Sequence, residues 1–130
     1  MNPLFLISSI LLFLPALSSE KYTYLLCEGW LRGSSYSPGS GNKVISHSHK
    51  MYITIDERKS RINFSQKPYS LNEWEKARIS RDTIYLKTKI HQYTSDFSLI
   101  RSSGNYVLAG EIKTLRFRDT SIAKGVCRKY

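Results

Sequence analysis

Two of the chain's three histidines stand one residue apart, His47 and His49 in the run VISHSHKMY at 44–52. Side chains alternate along an extended chain, so imidazoles at that spacing project from one face. Such a pair can open a site for Zn²⁺, Cu²⁺ or Ni²⁺ once a third or fourth donor converges on it. A metal-dependent hydrolase would need those further ligands and a cleft besides. The same residues also suit the approach to a strand, with both imidazoles in a loop or at the mouth of a barrel. The third histidine, His91, falls on the face of Lys87 and Lys89, away from the pair.

Other catalytic patterns are missing. Gly41, five residues and H-x-H match the opening of a cupin motif. The glutamate that should follow is replaced, since Ile53 and Thr54 stand there, and no second cupin motif is present. There is no Gly-x-Ser-x-Gly elbow, and Gly39 and Gly41 lack the Lys-Ser or Lys-Thr of a phosphate loop. Glu73 and Glu75 stand too close together to read as a general acid and base. Binding is therefore favoured over catalysis, and no cofactor is expected beyond a transition metal at the histidines.

The first residues, MNPLFLISSILLFLPALSS, carry no charge, and their apolar run from Leu4 to Leu14 is followed by Pro15 and small residues. That pattern predicts a secretory signal over residues 1–18, cleaved near Ser19, and a single exported domain over 19–130, periplasmic or secreted. No transmembrane span is expected in the mature chain, which is read as a monomer. Its 20 Lys and Arg against 10 acidic residues give a net charge of +10. A small basic domain attracts anionic polymers, lipid headgroups or acidic proteins. Arg116 with Arg118 and Lys87 with Lys89 are the expected anion-binding pairs, although no specific nucleic-acid motif accompanies them.

These residues have to be positioned by strands. Short β-rich runs recur at intervals of about ten residues with turn residues between them, as in an antiparallel barrel or a sandwich. The runs are 22–31, 44–56, 61–65, 77–80, 83–90, 97–101, 105–113, 114–118 and 122–128, with 34–42 as a loop. Alternation puts Met51, Ile53 and Ile55 on one face, as it does Ile62 with Phe64, Ile84 with Leu86 and Ile90, and Leu115 with Phe117. One segment departs from this: Ser70 and Glu73 fit a capping box, predicting a short helix near 70–77. Cys27 and Cys127 are the only cysteines, and in an oxidising compartment they pair. A bridge between the first and last strands favours a meander barrel of about eight strands over the runner-up, a β-sandwich.

The segments SLIRSSGNYVL and AKGVCRKY resemble the ends of small exported bacterial proteins of uncharacterised function. In these an early cysteine pairs with a Gly-x-Cys near the C-terminus, after an Arg-x-x-Gly hairpin. The matching positions are Cys27, Arg101, Gly104, Gly125 and Cys127. The resemblance implies an exported β-barrel-like domain and no particular activity. Two binding modes follow from the residues themselves. One uses the basic outer surface; the other holds a small ligand or metal ion inside the barrel, near His47, His49 and Thr88.

Overall fold

Alternation of apolar and polar side chains is carried through into an all-β structure. The computed structural model describes residues 22–130; the expected signal segment lies outside the described residues. The strands are β1 (Tyr22–Ser37), β2 (Gly41–Asp56), β3 (Arg61–Ser65), β4 (Glu75–Lys76), β5 (Arg78–Ile79), β6 (Thr83–Ile90), β7 (Tyr93–Ile100), β8 (Asn105–Lys113) and β9 (Arg118–Lys129). They form one nine-stranded antiparallel sheet in the order β4-β3-β2-β1-β9-β8-β7-β6-β5. The edges β4 and β5 are two halves of one segment: Glu75 and Lys76 pair with β3, and Arg78 and Ile79 pair with β6. The sheet therefore curls into a nearly closed barrel, with β1 beside β9.

The inner faces supply the core. Met51, Ile53, Ile55, Ile62, Ile84, Leu86, Phe97, Leu99 and Tyr106 are buried together with both cysteines. Phe97 stacks edge-on against Phe64, with ring centroids 5.0 Å apart. Cys27 and Cys127 face each other across β1 and β9 and form the disulfide. It joins residues 100 positions apart, and a loop of that length is worth up to about 4–5 kcal/mol on the chain-entropy model.

At one row β1 and β9 come closer than side chains permit. Gly29 pairs with Gly125. A Cβ on Gly29 would lie 1.9 Å from the Lys124 carbonyl oxygen, and one on Gly125 2.1 Å from that of Glu28. The Arg-x-x-Gly hairpin is likewise bound to the bridge. Gly104 has the positive φ its turn required, 80°, and its carbonyl accepts the Cys127 amide at 2.7 Å. Arg101 donates to the Ser80 carbonyl and pairs with Glu57. The residues behind the resemblance thus have structural work in this fold.

Four expectations need correction. The first hairpin has no long loop: its ladder runs to Ser37↔Gly41, leaving only Pro38, Gly39 and Ser40 as the turn. The Ser40 amide bonds the Ser37 carbonyl and Gly41 supplies a positive φ, which lets the serine-rich arms continue pairing. The run 114–118 is a turn rather than a strand until Arg118. The Thr114 hydroxyl accepts the Arg116 and Phe117 amides, and Leu115 is fully exposed. Ile90 keeps the inner parity but sits exposed at the end of β6.

The fourth is the helix near 70–77. No helix occurs among the described residues, so none is long and apolar enough to cross a membrane. The carbonyls a helix would use are captured from outside it. Thr54 Oγ1 donates to the Ser70 carbonyl and Asn63 Nδ2 to that of Glu73. Tyr69, at φ 57°, packs against Tyr24 and Tyr130, and Trp74 against Tyr22 and the Arg61 guanidinium. A helix this short has little stability of its own to set against those contacts. Residues 66–74 instead form a flap that buries Thr54 and Asn63 on the outer face. Asn63 heads the sequon Asn63-Phe64-Ser65 and is only 1% exposed, so the folded chain does not present it.

Candidate functional site

The two ends of the barrel differ because the strands differ in length. β1 and β2 run on to Ser37 and Gly41, whereas β3 ends at Ser65, opposite Tyr52, so one wall stands higher than the other. At that end a cleft of about 490 Å³ opens into the barrel. Its floor is the upper core: Met51, Phe64, Leu86, Phe97 and Leu108. Its polar lining comes from His49, Gln66, Glu73, Glu75, Thr88 and Ser95, with Ile90 and Tyr93 at the rim. No lysine or arginine contributes.

His49 enters the cleft because it shares the parity of Met51 in β2. It is half-buried, and its Nδ1 lies 2.8 Å from the Tyr106 hydroxyl. Burial lowers its pKa below the usual imidazole value, and the neighbouring His47 lowers it further. Burial, followed by the charge of Glu28, raises that of the Tyr106 hydroxyl. Both shifts favour the neutral forms. His47 sits two residues further up the exposed hairpin with Nδ1 against the Ser48 carbonyl, 2.8 Å away. Of the three inward polar residues expected to line a cavity, His49 and Thr88 do so and His47 does not. Among the described residues no group of three or more His, Cys, Asp and Glu converges, so neither the metal-site nor the hydrolase reading gains a third donor.

Glu75 is the residue the sequence reading missed. It pairs with the fully buried Ile62 and therefore faces inward, in step with Ala77 and Ile79, which pack on the core. The alternation Glu75, Ala77, Ile79 carried the signal, but a helix assigned over 70–77 conceals a period of two. Above the cleft and sharing Tyr93 with it lies a recess of about 180 Å³ lined by Ile45, Ile112 and Asp119. Asp119 Oδ1 is buried there without a hydrogen-bond partner.

The basic pairs are arranged less simply than expected. Arg118 forms a two-nitrogen contact with Glu111 Oε2, at 3.0 and 2.8 Å. Lys87 lies opposite Asp96 across β6 and β7, and Asp96 accepts the Tyr85 hydroxyl. Arg116 is in the 114–117 turn, and Lys89 stands opposite Thr94. Two strands, β7 and β8, separate the lysine pair from Arg118. A groove of about 590 Å³ crosses this outer face, but it is shallow, and Asp96 and Glu111 within it already have partners.

These features define a disulfide-closed antiparallel β-barrel with an open, acid-lined mouth at one end. No protein-family model, curated protein or solved structure matches the chain.

Proposed function

We propose that this is an exported, non-catalytic binding protein that holds a small ligand in the open mouth of its barrel. The observation that carries the reading is the cleft itself, an opening into the barrel with an apolar floor and a polar rim. A volume of about 490 Å³ lies in the range of small-molecule sites, which pair an apolar lining with a few placed polar groups. Export is supported by the uncharged leader and by the disulfide between Cys27 and Cys127. The anionic-partner reading rests on net charge, and the pairing of Arg118 with Glu111 weakens it.

The test is native mass spectrometry of the protein isolated from its exported fraction, beside a Thr88→Trp variant that fills the cleft. A bound mass on the natural chain that is absent from the variant supports the reading. A bare chain that also fails to take up a neutral apolar fluorescent probe saturably overturns it.

A further inference from the structure

We infer that the ligand is an amphipathic amine, its ammonium bound by the inward carboxylates of the mouth and its apolar part covering the cleft floor. This rests on the proposed ligand-holding mouth and names the chemistry it selects.

Glu75 carries most of the argument. Its register with Ile62 turns its carboxylate toward the barrel interior, and it is half-buried. It makes no hydrogen bond or ion pair among the described residues. Removing a carboxylate from water without a partner is costly. The chain has cations to spare, with 20 Lys and Arg against 10 acidic residues. Elsewhere it pairs Asp56, Glu57, Glu111 and Glu28 with arginines. Yet none of those cations lines the cleft.

A second observation is independent of the first. Glu73 lines the same cleft, and its carboxylate likewise makes no hydrogen bond or ion pair among the described residues. Unmatched carboxylates in one cleft call for a ligand that brings its own N–H groups. His49 does not supply the missing charge, since its burial favours the neutral ring. A neutral apolar ligand would desolvate Glu75 further without compensation, and an anion would be repelled. An ammonium on an apolar body satisfies both the carboxylates and the floor.

The experiment is calorimetric titration of the folded, disulfide-bonded chain with octylamine, octanol and octanoate, three probes sharing one apolar body. Octylammonium should bind at least about tenfold tighter than octanol, with octanoate weakest. Glu75→Gln should bring octylammonium down to the octanol level while octanol is unchanged. Asp119→Asn, whose carboxylate lies in a separate recess, should leave that preference unchanged. Equal binding of octylammonium and octanol would overturn the amine inference and leave the cleft standing. A preference for ammonium that survives in Glu75→Gln would place the cation elsewhere and equally overturn it. Failure of all three probes, together with failure to take up the neutral fluorescent probe, would remove the ligand-holding mouth itself.

Discussion

The Tyr106 hydroxyl and His49 Nδ1 stand 2.8 Å apart although the residues are separated by 57 positions in the chain. They occupy the two ends of one row across four strands: Tyr106 pairs with Gly125, Gly125 with Gly29, and Gly29 with His49. The two middle positions have no side chain. A tyrosine reaching from β8 to β2 passes in front of β9 and β1, and glycine in both leaves that path open. The contact ties β8 to β2, whose His49 lines the mouth.

His49 makes stability depend on pH. Its folded pKa is lowered by burial and by His47, so the unfolded chain binds the proton more readily. Its contribution is present above about pH 6.5, the unperturbed value, and is lost as pH falls through the lower folded value. Asp56 behaves likewise at more acid pH. Burial pushes its pKa up, but the Arg61 hydrogen bond, the Lys59 amide and the two nearby cations outweigh this and leave it below 3.8. Urea melts across pH should show a first decline below about 6.5 that is absent in His49→Gln, and a second below 3.8 that is absent in Asp56→Asn. A first decline of full size in His49→Gln would contradict the assignment.

Gly29 should tolerate no side chain. In Gly29→Ala the new methyl meets the Lys124 carbonyl oxygen at 1.9 Å, and backbone must move to admit it. The expected loss is about 3 kcal/mol or more, at the upper end for overpacking. Gly39→Ala is the control, since its methyl meets nothing within 4 Å and should change stability by less than about 0.5 kcal/mol. Chemical denaturation of both variants measures the difference. Equal midpoints would mean that β1 and β9 are not so closely apposed.

The flap over β2 and β3 can be released without disturbing the core. Thr54→Val keeps the shape of the side chain and removes its bond to the Ser70 carbonyl. About 1 kcal/mol of stability should be lost, the usual net worth of one hydrogen bond. Amide hydrogen exchange should quicken in residues 69–74 and stay unchanged at Ile53 and Leu86. Uniform quickening throughout the barrel would show instead that the flap and the core open as one unit.

Reduction of the Cys27–Cys127 bridge should cost about 2–5 kcal/mol. A reductant should lower the urea midpoint of the natural chain and leave that of a Cys27→Ala, Cys127→Ala double variant unmoved. A reductant shift persisting in the double variant would have to arise from something other than this bond.

Period-two alternation was enough to identify the all-β class, and the cysteine count was enough to bring β1 beside β9. Both are local or arithmetic properties: a strand's faces follow from residue parity, and two cysteines admit one intramolecular pairing. Turn chemistry at Gly104 was equally legible, because only a residue tolerant of positive φ fits that hairpin. The extension of β1 and β2 was not, since Ser34 to Ser37 have little strand preference alone and pair because the register set by Leu25 and Ile53 carries them on. The helix expected at 70–77 failed for the opposite reason. Ser70 and Glu73 suit a cap, but Thr54 and Asn63, distant in sequence, capture their carbonyls. His49 could be placed on an inward face from sequence, whereas its partner could not, because Tyr106 reaches it across a row defined by four strands. Glu75 acquires its inward position only when Glu75–Ile79 crosses from β3 to β6 and draws the barrel together. Which side chains meet at the mouth is decided by that closure, as strands far apart in sequence become neighbours only once the sheet has curled.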